Sequence, residues 1–134
     1  MFDFIEEHHP RRRIKSFRYA FQGLFHALLN EANFRIQIFI VIFATVLGVY
    51  FKISNTEWGL LILSMGFLLS AEMVNTVVEE FIDHLIKKKS ETAKIIKDLG
   101  AGFVLVTAAM AALILYLIFG VRLMELFVQI KQSY

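Results

Sequence analysis

The sequence predicts an all-α membrane protein in which an N-terminal amphipathic surface helix precedes three transmembrane helices. Three observations carry this reading. Apolar residues gather in three long runs, opening near Phe34, Trp58 and Gly100, and each approaches the ~20 residues that cross a bilayer. The 134 residues are 57% hydrophobic, with 14 Phe and one Pro, too apolar for an ordinary soluble domain. The cationic residues fall mostly on one side of the runs, although the net charge is only +2.

Residues 1–10 read as a flexible, polar lead-in that Pro10 ends. They lack the 7–15-residue apolar core of a cleavable signal. Arg11, Arg12, Arg13, Lys15 and Arg18 follow as a basic cluster. Ile14, Phe17, Phe21, Leu24, Phe25 and Leu28 then recur at the i, i+3, i+7 spacing of an amphipathic helix. A basic face opposite a Phe/Leu face suits a helix lying on an anionic membrane surface. The alternative is a helix packed on the protein's own core.

Asn30-Glu31-Ala32-Asn33 makes a corner, and the first span covers about 34–53. Arg35 and Gln37 stand at its start, where long side chains reach back to the headgroups. Ser54-Asn55-Thr56 turns the chain, and Trp58 marks the far interface as an aromatic anchor. The second span covers about 58–82. A polar connection from Asp83 to Asp98 carries five lysines. The third span, about 100–119, contains Gly100, Ala101, Gly102, Ala108, Ala109, Ala111 and Ala112, small residues that let helices approach closely in lipid. Residues 120–134 form a C-terminal extension with room for a last interfacial turn or two. The positive-inside rule puts the N-terminus and the 83–98 loop in the cytoplasm.

The stretch Ala71–Glu80 organises the whole. At ~100° per residue, Glu72, Asn75 and Glu79 fall at roughly 0°, 300° and 340° and share one helix face. Glu72 lies about 21 Å into its run. A charged carboxylate there costs of order 2.5–3.5 kcal/mol, so a functional reason is expected. Phosphoryl transfer to a lipid alcohol is compatible with these residues. It needs oxygen ligands for a divalent metal, cations near the transferring group and a base for the attacking hydroxyl. Glu31 and Glu79 suit Mg²⁺, which often takes only one or two protein carboxylates. Glu72 suits the base, Asn75 can orient a phosphate oxygen or the hydroxyl, and Lys97 and Arg12 can meet phosphate charge. The chain has no phosphate-binding glycine loop and no protein-kinase catalytic motif. Without Cys it can form neither disulfides nor a thiolate metal site.

At Asn30-Glu31-x-x-Phe34-Arg35, Glu72-x-x-Asn75-Thr76-x-x-Glu79 and Lys97-Asp98-x-Gly100-Ala101 the chain resembles the prokaryotic diacylglycerol kinase family, which includes undecaprenol kinases. The similarity covers about residues 11–119. It implies a homotrimer with active sites shared between protomers, in the bacterial inner (plasma) membrane. It also implies phosphorylation of a membrane lipid alcohol by ATP with Mg²⁺. By motif position, Glu72 is similar to the family's catalytic base and Asn75 to its site organiser. Glu31 and Glu79 match the metal ligands and ATP contacts. Arg12, Tyr19, Lys97 and Asp98 match ATP contacts, and Glu72 with Ala101 the lipid site. Asn33-Phe34-Arg35-Ile36, Thr56-Glu57-Trp58 and Asn75-Thr76 look more like the undecaprenol branch than the enterobacterial diacylglycerol branch. The Lys87–Thr92 loop lacks the family's acidic-Tyr-His flavour. No nucleic-acid partner is expected.

Each of these residues also has an ordinary reading. Glu72 can be a carboxylate bonded across helices, Glu31 a corner cap and Glu79 an interfacial charge. Lys97 can be a positive-inside lysine, Arg12 one of an interchangeable cluster and Tyr19 an anchor. Asp98 can be the N-cap of the third span. Two other functions compete: a small proton-coupled transporter built on Glu72, and a non-catalytic membrane assembly subunit glued by it.

Overall fold

The computed structural model describes residues 10–88 and 90–133, with side chains from Ile14 onward. The lead-in 1–9, Lys89 and the Arg11, Arg12 and Arg13 side chains therefore lie outside the described residues. Four helices follow in order: α1 (Pro10–Asn30), α2 (Ala32–Tyr50), α3 (Asn55–Leu85) and α4 (Glu91–Gln132). The last three are each long and apolar enough to cross a membrane. In hydrocarbon every backbone group must find a partner within its own segment, which the helix provides.

The apolar stripe of α1 is not spent on the protein's own core. Ile14, Phe17, Phe21 and Phe25 all remain exposed, as a helix resting on lipid requires. The corner to α2 is tighter than expected, because Glu31 alone separates the two helices. Arg35 does not reach for headgroups here. Its Nη1 donates to the Leu28 and Leu29 carbonyls at 3.3 and 2.8 Å, serving the unpaired carbonyls that end α1.

At the far end the chain turns through 51–54, with Lys52 left-handed at φ 50°. Ser54 and Glu57 form a reciprocal capping box that opens α3. Glu57 also takes a two-pronged ion pair from Arg122 of α4, at 2.9 and 3.1 Å, and Arg122 Nη1 donates to the Ile118 carbonyl as well. Below this clasp lies the apolar core of Ala44, Ile53, Leu61, Met65, Leu68, Ala111, Ile118 and Phe119. Gly48 is needed there, because a Cβ on it would meet the Trp58 ring at 2.8 Å. Arg122→Ala should lower the apparent Tm in detergent by about 2–4 °C and leave turnover unchanged. Scanning fluorimetry beside an activity assay checks both, and lost turnover in a folded variant would contradict this purely structural role.

The third membrane helix, α4, departs from its expected bounds at both ends. It begins at Glu91 under a Ser90 cap, whose hydroxyl accepts from Ala93 N. The expectation that Asp98 caps this helix is therefore overturned: Asp98 lies two turns inside it. Most of the supposed 83–98 loop is helical, and only 86–90 connects α3 to α4. Among these charges, Lys97 and Asp83 pair across the two helices at 3.0 Å. Helix α4 also runs unbroken through Gly120 to Gln132, longer than the expected turn or two.

Candidate active site

The core is apolar at the far end of the bundle and polar at the α1 end. The helical register of α3 accounts for this. Its buried face changes from Leu61, Met65 and Leu68 to Glu72, Asn75 and Thr76. Glu72 is 2% exposed and Asn75 8%, whereas Glu79, one turn further along, is half-buried. Asn75 Nδ2 donates to Glu79 Oε1 at 3.1 Å. Glu72, Asn75 and Glu79 thus form one ladder from the protein interior to its surface.

Two neighbouring helices hold the ladder. From α2, Gln37 Nε2 donates to Glu72 Oε2 at 2.8 Å. Gln37 is 7% exposed, so the expectation that it reaches headgroups is corrected. An amide at that depth is satisfied more cheaply by a buried carboxylate than by a climb to water. From α4, Gly100 comes so close that a Cβ on it would stand 2.5 Å from Asn75 Oδ1. The site therefore sits where α2, α3 and α4 meet.

Towards the α3–α4 connection the charges turn cationic. Lys97 Nζ bonds both Asp83 carboxylate oxygens at 3.0 Å. A groove of about 550 Å³ opens beside the pair, lined among others by Lys87, Lys88, Ser90, Lys94 and Lys97. Asp83 and Glu91 line it too, so its four lysines leave a net positive surface that attracts anions. Glu31 stands at the N-cap of α2, and its carboxylate makes no capping hydrogen bond. Among the described residues no three His, Cys, Asp or Glu side chains surround a common point. Glu31 and Glu79 each carry the oxygen donors that a hard cation takes alongside phosphate and water.

Other expected residues are not gathered into this site. Asp98 and Ala101 lie one turn apart on the exposed side of α4, away from the face that carries Gly100. Tyr19 is 65% exposed on α1, and the Arg12 side chain is outside the described residues. Glu80 is an interfacial charge, loosely paired with His26 and His84 at 3.7 and 3.9 Å. Sequence reasoning missed two members of the cluster. Gln37 had one usable signal, a second polar side chain inside an apolar run. Asp83 was hidden among the lysines that follow it.

The family model described as prokaryotic diacylglycerol kinase matches residues 18–119. The chain belongs to the prokaryotic diacylglycerol kinase family. The match takes in Glu31, Gln37, Glu72, Asn75, Glu79 and Lys97 together, and ends three residues before Arg122. Other members of the family are similar over most of this chain. An undecaprenol kinase of Bacillus subtilis is 32% identical over 81% of this chain and 88% of its own length. A diacylglycerol kinase of Synechocystis is 34% identical over 74% of this chain and 57% of its own length. A diacylglycerol kinase of Escherichia coli is 29% identical over 76% and 84%. Membership makes this chain an integral-membrane protein of a lipid kinase family.

Proposed function

We propose that this protein transfers the γ-phosphoryl group of ATP, with Mg²⁺, to the hydroxyl of undecaprenol in the bacterial plasma membrane. The observation that carries the reading is the buried Glu72 at the end of the Asn75–Glu79 ladder. A base held at that depth meets a lipid hydroxyl, and the ladder leads to the surface where a nucleotide arrives. Glu72 takes the proton of the lipid hydroxyl. The hydroxyl oxygen bonds to the γ-phosphorus, and the bond to the bridging oxygen breaks with its electron pair leaving on ADP. Asn75 orients the reacting group from its fixed place against Gly100. Lys97, Lys94, Lys87 and Lys88 offset phosphate charge around the groove, and Arg12 and Tyr19 are nucleotide contacts by motif position. Glu31 and Glu79 are the residues that would hold Mg²⁺. When bound, the ion neutralises charge developing on the phosphoryl oxygens.

The exposed positions of Asp98 and Ala101 support a homotrimer with shared sites. On one chain they face away from Glu72, and a neighbouring copy gives them a nucleotide and a lipid to meet. The lysine-rich end of the bundle, with the N-terminus, is cytoplasmic under the positive-inside rule, which is also the side that holds ATP. The domain bounds follow: a lead-in over 1–10, the kinase unit over 11–119 and an extension over 120–134.

Undecaprenol is favoured by the branch-specific wording around Phe34 and Thr76 and by the Bacillus relative, matched over most of its length. The diacylglycerol kinases among the relatives favour a second reading, phosphatidic acid production from diacylglycerol. A paired assay separates them. Purified protein in mixed micelles receives labelled ATP and Mg²⁺ with either undecaprenol or diacylglycerol. The expected result is at least about tenfold higher kcat/KM on undecaprenol, about 1.4 kcal/mol of discrimination. Reversal of that preference selects the second reading. Label on neither lipid, from folded protein, overturns both.

A further inference from the structure

We infer that Gln37 is a positioning residue for the base, holding Glu72 in both of its protonation states. This rests on the reading of Glu72 as the base. The contact spans two helices: Gln37 Nε2 donates to Glu72 Oε2 at 2.8 Å with both residues buried. Among the described residues, no protein group donates to the buried Gln37 Oε1. A buried acceptor without a donor is costly to the fold. Glutamine is the natural occupant where such an atom has a use later in the reaction.

The chemistry of the base supplies that use. Before turnover Glu72 is a carboxylate and accepts; the amide N–H₂ of Gln37 suits it. After taking the lipid hydroxyl proton it is a carboxylic acid with an O–H to donate. That O–H forms on the oxygen left free for the lipid, so a half-turn of the new carboxyl, together with one of the Gln37 amide about its last torsion, brings the proton to Gln37 Oε1. The proton remains on Glu72, the new O–P bond is on the lipid, and ADP carries away the electron pair of the broken bond. A primary amide offers donor and acceptor from one planar group. Methionine offers neither, and lysine only the donor. By occupying one carboxylate oxygen from α2, the amide also leaves the other oxygen of Glu72 for the lipid hydroxyl.

The test is a set of kinetic comparisons on the full-length protein in micelles, each variant checked for folding by circular dichroism and size exclusion. Gln37→Met keeps the length and removes both hydrogen-bonding functions. We expect kcat to fall about 10–100-fold, with KM for ATP and for the lipid within about twofold. Gln37→Asn keeps the polarity and withdraws the amide by one methylene. It should also lose kcat, and it serves if the Met variant is poorly folded. The decisive comparison is in the Glu72→Gln background. A residue that acts through Glu72 has no further effect there, so residual turnover of the double variant equals that of Glu72→Gln alone. Wild-type-like kcat in a folded Gln37 variant overturns the inference. So does a loss confined to lipid KM, or a full additional loss in the Glu72→Gln background. The underlying reading fails differently: Glu72→Gln itself then turns over like wild type.

Discussion

Glu72→Gln is expected to lose about 10²–10⁴ in turnover while remaining folded and no less stable. The two halves of this expectation come from the same geometry. Glutamine matches glutamate in shape, and its carbonyl oxygen still accepts the bond that Gln37 Nε2 makes to Glu72 Oε2. The contact between α2 and α3 is therefore kept. What disappears is the ability to take a proton. A charge at hydrocarbon depth costs of order 2.5–3.5 kcal/mol on insertion scales, so its removal costs the fold nothing. A Tm at or above wild type, together with near-abolished lipid phosphorylation, is the pattern of a residue kept for chemistry. A lowered Tm with collapse of the oligomer would instead assign Glu72 to helix association. Wild-type turnover would remove it from the reaction, and substrate-driven proton flux into liposomes without ATP would favour a transporter.

Gly100→Ala is the second large effect, and it should separate activity from the general tolerance of membrane helices for alanine. The added Cβ would stand 2.5 Å from Asn75 Oδ1 and within 3.8 Å of Val78 Cγ1. Something must move. Asn75 is buried and bonded to Glu79, so its amide cannot swing away without breaking the ladder. The alternative is that α4 backs off α3. Overpacking of this kind costs about 1–3 kcal/mol, and the displaced amide should reduce kcat by about tenfold or more. Gly100→Val should be worse in both respects. Gly102→Ala is the matched control, because a Cβ there meets nothing within 4 Å. Near-wild-type stability and turnover are expected for it. Equal behaviour of the two alanine variants would mean that Gly100 does not hold Asn75 in place.

Much of the architecture was legible before any coordinates. Three apolar runs bounded by charge and turn residues specify three membrane helices, because lipid leaves the backbone no alternative. The shared face of Glu72, Asn75 and Glu79 follows from helical periodicity alone, which is why the ladder could be drawn from residue numbers. Helix ends were less legible. Asp98 has the chemistry of a cap, yet Ser90 caps α4 eight residues earlier. Lys97 read as loop because its acidic partner, Asp83 at 3.0 Å, belongs to a different helix.

The sequence by itself determined the number of spans, the amphipathic character of α1 and the angular grouping of the acidic face on α3. Only the tertiary structure decided which side of each helix meets protein. Lipid tails are as apolar as leucine, so in a membrane helix hydrophobic patterning does not distinguish a packed face from a lipid-facing one. Gln37 against Glu72, Gly100 against Asn75 and Arg122 across Glu57 all join residues far apart in the chain. They depend on how three helices rotate against one another, and that rotation is set by packing and hydrogen bonds that no single segment contains.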